Sequence, residues 1–183
     1  MIRQFVLLFA LFVAMTDALV SPKIGLDLKP ASITLKRGLP DYKSESVELN
    51  SLLAGKKVII LTVPGAFTPG CSKSHLPSFV NSFDELKQKG IDSIICTATN
   101  DAHVMRFWGE NQNCRDKVTM LSDDGGALVD FMGEVKQEPC MKRSNRYTMV
   151  VDDGVISGWF PGVGTDGVKA PENAWAPNVL ANL

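Results

Sequence analysis

One cysteine in this chain stands where a thiol is expected to be reactive. Cys71 follows an apolar run at residues 58–62 and a loop, residues 63–70, that contains two prolines and two glycines. A helical pattern begins after the loop, so the sequence predicts a buried strand, a loop, and a helix with Cys71 in its first turn. Unpaired backbone N–H groups and the helix dipole place about half a positive charge there, which favours the thiolate. We therefore expect Cys71 to be nucleophilic near neutral pH.

Cys71 also closes a short motif. The pattern Pro64-x-x-x-Thr68-x-x-Cys71 resembles the active-site signature of the peroxiredoxins, and its continuation through His75 resembles their type II, peroxiredoxin-five-like branch. The resemblance covers residues 24–183 and is most specific around the cysteine. It implies a thioredoxin-like fold of the α/β class, in which a mixed central sheet carries helices on both faces.

The resemblance implies roles for the residues near the cysteine. Thr68 and a distant arginine, which Arg146 matches, would hold a peroxide against the thiolate, and a fixed cation near the sulfur would also lower the thiol pKa. Arg143 is the nearby competitor for this arginine. Thr68 can in addition cap the helix, and Pro64 is expected to shield the sulfur and to shape the loop.

Two further residues are expected to support the site without touching substrate. His75 lies one helical turn after Cys71, where an imidazole can act as a base or pack beneath the loop. Because the resemblance implies that the thiolate is already formed, we assign His75 and Gly70 to supporting positions. His103 is expected to be structural.

The other three cysteines differ in their surroundings. Cys96 lies in an apolar run and is most simply a core residue, while Cys114 is expected to be exposed and Cys140 to lie in a polar, mobile loop. The resemblance makes Cys96 a possible resolving cysteine, and its polar loop ahead of Arg146 makes Cys140 another. Animal-type relatives carry their resolving cysteine shortly before a C-terminal Ala-Pro-Asn segment, but residues 164–170 contain none. We therefore expect an external thiol to act instead, glutathione with glutaredoxin first and thioredoxin second.

The predicted function is a thiol-dependent peroxidase that reduces hydrogen peroxide and organic hydroperoxides in antioxidant defence and cell redox homeostasis, with no metal and no organic cofactor. Three alternatives remain. A disulfide oxidoreductase would need a second cysteine in the run from Cys71 to Ser74, which has none. A cysteine hydrolase would have to fit its substrate between Cys71 and His75, one turn apart on one helix. A redox sensor or relay would use the same cysteine without rapid turnover.

Length and charge restrict the domain organisation and the partners. The chain has 183 residues, 45% of them hydrophobic, and a formal net charge of −1 without long charged runs. These values predict one globular domain and give no indication of nucleic acid or stable membrane association. The resemblance implies that this domain, over residues 19–183, is of the peroxiredoxin type. The resemblance also implies a homodimer, with Phe67, Phe79 and Trp108 as candidate interface residues, although core packing explains these side chains equally well.

The first 18 residues have the pattern of a signal peptide. Arg3 precedes an apolar stretch at residues 5–15, and Ala18 ends a segment suited to cleavage. The stretch is too short to span a bilayer, which takes about 20 apolar residues. We expect entry into the secretory pathway, which in a plastid-bearing cell can lead onward to a plastid, with cytoplasm or mitochondrion as the alternative.

Periodicity predicts the elements that position these residues. Strands are predicted at residues 31–35, 46–49, 58–62, 91–99 and 118–121, with a hairpin formed by residues 146–151 and 155–160. Helices are predicted at 51–54, capped by Asn50; after Cys71, with a kink at Pro77 and an end at Gly90; at 127–132; and at 177–183, beginning with Pro177. A further helix is predicted after its caps Asn100 and Asp101, with Val104, Phe107 and Trp108 on its inner face.

Overall fold

The computed structural model describes residues 23–136, 138–164 and 167–183, so the predicted signal peptide at residues 1–18 lies outside the described residues. The strands are β1 Thr34–Gly38, β2 Ser44–Glu48, β3 Lys57–Thr62, β4 Ser93–Ala98, β5 Thr119–Ser122, β6 Val135–Lys136, β7 Arg143–Ser144, β8 Tyr147–Asp152 and β9 Val155–Pro161. The α-helices are α1 Leu49–Leu53, α2 Leu76–Asn81, α3 Phe83–Gln88, α4 Ala102–Asn111, α5 Ala127–Met132 and α6 Ala176–Ala181. A π-helical turn, Cys71–His75, leads into α2.

Seven of these strands form one mixed sheet in the order β2-β1-β5-β4-β3-β8-β9. β3 pairs in parallel with β4, and β4 with β5, whereas β8 runs antiparallel to β3 and to β9. β6 and β7 form a separate antiparallel pair. The sequence does not predict this small sheet, because strands of two residues are too short to show a period of two.

Helices cover both faces of the sheet, as predicted. On one face, α2, α3, α4 and α6 contribute buried side chains to a cluster that also contains Ile59 and Leu61 of β3. On the other face, α1 and α5 pack against Val58 and Ile60. β3 is therefore buried on both sides, which explains why it is a continuous apolar run rather than an alternating one.

Most element predictions are confirmed within a few residues. The hairpin is β8 and β9, and the helix at residues 127–132 has the predicted bounds. Asp101 caps α4 by accepting hydrogen bonds from two backbone N–H groups. The first predicted strand lies three residues too early, and Asn50 is not a cap: Glu48 holds the N-cap position, and Asn50 donates to the Lys29 carbonyl oxygen at 2.8 Å.

The helix after Cys71 is less regular than the sequence predicts. In the π-helical turn, the N–H of Leu76 donates to the carbonyl of Cys71. Pro77 lies in the first turn of α2, where its missing N–H is tolerated, so the change of helical register falls just before it. A second break at Ser82 separates α2 from α3. Within the described ranges, no helix has both the length and the apolar character needed to cross a bilayer.

Candidate active site

The loop after β3 brings Cys71 to the carboxyl end of the central strands. Phe67 has a φ of 59°, a left-handed conformation that turns the chain back toward the sheet. The N–H of Ser72 then donates to the Thr68 carbonyl oxygen at 2.9 Å, which closes the first helical turn. As predicted, Cys71 lies at the start of a helix, and its side chain is fully buried.

Arg146 is the cation that reaches the sulfur. Its Nη2 donates to Cys71 Sγ at 3.3 Å. The residue immediately precedes β8, and β8 pairs with β3 in a register that sets Tyr147 opposite Thr62, the last residue of β3. This pairing places the start of β8 beside the loop that carries Cys71, although 75 positions separate the two residues in the chain.

His75 holds the other arm of this guanidinium. Arg146 Nη1 lies 2.9 Å from His75 Nδ1, and because a guanidinium can only donate, Nδ1 must be the acceptor. His75 Nε2 therefore carries the proton, and it lies 2.9 Å from the Ala174 carbonyl oxygen and 3.0 Å from Thr148 Oγ1. Burial and the neighbouring Arg146 lower the pKa of His75 to about 3. The imidazole is thus neutral at physiological pH, and its lone pair is already used to orient Arg146.

The remaining motif residues shape the loop. Thr68 Oγ1 donates to the Gly65 carbonyl oxygen at 2.9 Å, and the helix start has no hydrogen bond to a side-chain cap, so Thr68 is not a cap. The Pro64 carbonyl oxygen accepts a hydrogen bond from Arg143 Nη1 at 2.8 Å. A Cβ added at Gly70 would lie 3.3 Å from Arg146 Nη2, so this position leaves room for the guanidinium.

The sequence predicts Arg143 only as a competitor of Arg146 for the sulfur. In the structure, its side chain instead contacts the active-site loop at Pro64 and Gly65. It belongs to β7 and crosses Gly65 so closely that a Cβ on this glycine would overlap its Nη1. Asn100 supports the same loop, since its Oδ1 accepts from the Ala66 N–H at 2.8 Å. No sequence signal identified Asn100 as a loop contact, because its pattern indicated only a helix cap.

The other cysteines occupy three different environments. Cys96 is buried in β4, as predicted, and burial raises the pKa of its thiol. Cys140 is exposed. The prediction that Cys114 is exposed is wrong: its side chain is fully buried because the chain turns inward after α4, and its Sγ donates to the Gly109 carbonyl oxygen at 3.4 Å.

For two of the three candidate interface residues, the structure confirms the core alternative. Phe79 and Trp108 are fully buried in the core cluster around Cys71, and Trp108 Nε1 donates to Ser72 Oγ at 3.0 Å. Phe107, predicted on the inner face of α4, is instead 39% exposed, whereas Phe67 of the active-site loop is 55% exposed. In the described ranges, no three His, Cys, Asp or Glu side chains come together as a possible metal site.

Comparison with known proteins shows the family and the fold of this chain. Residues 27–174 match the Redoxin family model. The chain is 40% identical over 149 residues to Peroxiredoxin-2E, chloroplastic, of Arabidopsis thaliana, a match that covers 78% of this chain and 63% of that relative. It is 38% identical over 143 residues to a peroxiredoxin of Rhizobium etli, covering 72% and 79%. The crystal structure of reduced Prx3 from Vibrio vulnificus in complex with hydrogen peroxide superposes with a TM-score of 0.74 at 34% identity, covering 87% of this chain and 97% of that one.

These findings define the class of protein. The mixed sheet with helices on both faces is a thioredoxin-like fold. The chain belongs to the Redoxin family, and its relatives there are peroxiredoxins.

Proposed function

We propose that this protein is a thiol-dependent peroxidase of the type II, peroxiredoxin-five-like branch, with Cys71 as the peroxidatic nucleophile. The observation that carries the proposal is the hydrogen bond from Arg146 Nη2 to Cys71 Sγ at 3.3 Å. A guanidinium that donates to sulfur stabilises negative charge there, and the neutral His75 holds it in place through the second arm.

In the proposed reaction, the Cys71 thiolate attacks one oxygen of hydrogen peroxide or of an organic hydroperoxide. An S–O bond forms and the O–O bond breaks, so the sulfur is oxidised to a sulfenic acid while the leaving oxygen takes up a proton as water or alcohol. Arg146 and backbone N–H groups at the helix start stabilise the charge that develops on the leaving oxygen. Because the Thr68 hydroxyl donates its hydrogen bond to the Gly65 carbonyl oxygen, its lone pairs are available to accept a hydrogen bond from the peroxide.

Regeneration then requires thiols. One thiol condenses with the sulfenic acid to form a mixed disulfide and water, and a second thiol reduces that disulfide and restores Cys71. Cys96 and Cys114 are buried, so we favour an external reductant, glutathione with glutaredoxin before thioredoxin. The exposed Cys140 is the alternative resolving residue. This cycle uses no metal and no organic cofactor.

The proposal is tested by sustained peroxide consumption with two reducing systems. Glutathione with glutaredoxin is used in one assay and thioredoxin with its reductase in the other, and the wild type is compared with Cys140→Ser. Turnover in the first assay that is unchanged in Cys140→Ser supports a single-cysteine cycle. Turnover with thioredoxin that is lost in Cys140→Ser assigns the resolving role to Cys140. Consumption that stops after one equivalent in both assays would overturn the peroxidase and favour a redox sensor or relay.

We also propose a homodimer that forms beside the active-site loop. Phe67 supports this proposal, because a large aromatic side chain that is 55% exposed on a loop held in a left-handed conformation is suited to contact a second subunit. Sedimentation of the wild type and of Phe67→Ser tests it. A monomer of the wild type at micromolar concentration would contradict the dimer.

For the localisation, we propose that residues 1–18 are a cleaved signal that leads into the secretory pathway and onward to a plastid, where the protein would act in antioxidant defence. The chloroplastic peroxiredoxin of Arabidopsis thaliana among its relatives supports this destination. A fluorescent protein fused behind residues 1–22 provides the test, and fluorescence confined to cytoplasm or mitochondria would contradict it.

A further inference from the structure

A second polar site lies away from Cys71, between β1, α4 and β5. β1 and β5 share the register pair Lys36↔Ser122, and beyond this pair the strands border a cavity of about 240 Å³. Thr119, the first residue of β5, lines the cavity, whereas Cys71 follows the carboxyl end of β3, which runs in the same direction. The two sites are therefore at different ends of the parallel strands.

Three arginines from three separate segments line this cavity. Arg37 comes from β1, Arg106 from α4, and Arg115 from the turn that follows α4. Arg37 pairs with Glu45 at 2.8 Å, while Arg106 and Arg115 share Glu110 at 2.9 Å and 3.6 Å. Three guanidinium groups thus face two carboxylates, which leaves an excess positive charge at the cavity.

One of these guanidinium groups also holds an unused donor. Arg106 Nε is buried and finds no hydrogen-bond partner among the described residues. Buried N–H donors are almost always paired, because removing one from water without a partner is unfavourable. The aliphatic part of the Arg106 side chain is closely packed as well. A Cβ on Gly38 would lie 2.9 Å from Arg106 Cβ, so glycine at this position lets β1 approach the arginine closely.

We propose that this cavity binds a phosphate group, either inorganic phosphate or the phosphate of a small monoester. A phosphate dianion offers several acceptor oxygens, so it can bind guanidinium groups that approach from different directions while neutralising their excess charge. At about 30 Å³ per water molecule, the cavity has the volume of roughly eight waters. That volume accommodates phosphate with a short substituent.

The test is an NMR titration of the ¹⁵N-labelled protein with inorganic phosphate at constant ionic strength, with chloride as the comparison anion. We expect saturable shifts of the Gly38 and Thr119 amides with phosphate alone. Because a charge-assisted hydrogen bond is lost, Arg106→Gln and Arg115→Gln should each weaken binding, by about tenfold for Arg106→Gln. Lys89→Gln removes an equal charge from an exposed position elsewhere and should change the affinity less than about twofold.

Arg115 makes the test independent of folding, since its side chain is 63% exposed and its replacement should leave the core intact. A parallel titration with glycerol phosphate separates the two ligand sources, because tighter binding than inorganic phosphate identifies a monoester site. Shifts no larger than those with chloride would overturn the proposal. Equal weakening by Lys89→Gln would overturn it too, because the effect would then be that of diffuse surface charge.

Discussion

Cys71 and Cys114 are both fully buried in the same apolar cluster, yet their sulfur atoms make opposite hydrogen bonds. The Cys71 sulfur accepts from the Arg146 guanidinium at 3.3 Å, whereas the Cys114 thiol donates to the Gly109 carbonyl oxygen at 3.4 Å. An accepting sulfur is stabilised as an anion and a donating one as a neutral thiol. Burial accordingly raises the pKa of Cys114 to about 11. The direction of the hydrogen bond, and not exposure, separates the two cysteines.

Their places in the fold explain this difference. Cys71 stands at the start of a helix beside the first residues of β8, so the Arg146 guanidinium reaches its sulfur. Cys114 follows the end of α4, where carbonyl oxygens are left without helical partners. The neighbouring Arg115 does not reverse this environment, because it is 63% exposed and faces Glu110.

The largest expected effect comes from removing each sulfur. Cys71→Ser should lower kcat/KM for hydrogen peroxide by at least about a thousandfold, because a hydroxyl is a far weaker nucleophile than a thiolate. Cys114→Ala and Cys96→Ala should leave the rate per folded molecule within about twofold. Coupled peroxide assays measure the rates of all three variants, and circular dichroism gives the folded fraction by which each rate is divided. A folded but inactive Cys114→Ala would contradict the assignment of Cys114 as an inert core thiol.

The next effect separates the two arginines. Arg146→Gln should lower kcat/KM by about a hundredfold to a thousandfold, because it removes the donor to both sulfur and leaving oxygen. Arg143→Gln loses only the hydrogen bond that positions the Pro64 carbonyl, so about a tenfold loss is expected. The reverse order of these two losses in stopped-flow peroxide oxidation would place the catalytic cation at Arg143.

Thiol labelling tests the comparison directly. At pH 7.5 a thiol with a pKa of about 11 is ionised roughly a hundredfold less than an ordinary cysteine, so Cys114 should react with iodoacetamide at least that much more slowly than the exposed Cys140. Cys96 should be similarly protected, since burial raises its pKa as well. Mass spectrometry of tryptic peptides follows each site. In concentrated urea all four cysteines should label alike, which provides the control.

The smallest effect concerns His75 and acid. Its pKa is lowered to about 3 in the folded protein, below the ordinary value of 6.5, so the unfolded chain takes up the proton first as the pH falls. As the pH falls from 6.5 to 3, protonation of His75 in the unfolded chain therefore lowers the free energy of unfolding, by up to about 1.4 kcal/mol per pH unit. Urea unfolding at pH 7.5, 6, 5 and 4 should show a shallower acid slope in His75→Asn. Identical slopes for variant and wild type would mean that His75 is not held neutral.

Local patterns were sufficient for much of this fold. The apolar run of β3, the Gly- and Pro-rich loop and the helix after Cys71 are adjacent in the chain, so their order alone predicts a strand, a loop and a helix. The β8–β9 hairpin follows from the turn at Asp153 and Gly154 in the same way. The pair β6 and β7 was missed, because two-residue strands depend on the partner they meet and not on their own periodicity.

Side-chain environments were harder to predict when their partners are distant. Cys114 has polar neighbours in the chain, which indicated exposure, but the turn after α4 directs its sulfur toward Met120 of β5. Trp108 and Phe79 are large aromatic residues that sequence reasoning assigned equally to a core or an interface. Their burial against the central sheet assigns them to the core.

By itself, the sequence determined which cysteine stands at a helix start and which residues form its motif, because these features depend on neighbours in the chain. The tertiary structure decided which arginine reaches the sulfur, why His75 is neutral, and which thiols are sealed in the core. The burial of Cys114 depends on the turn after α4, which directs its sulfur toward Met120 of β5. The first two of these features depend instead on the register of β8 against β3, which sets Tyr147 opposite Thr62 and so brings Arg146 to Cys71. Such pairings join residues far apart in the chain, and no local pattern specifies them.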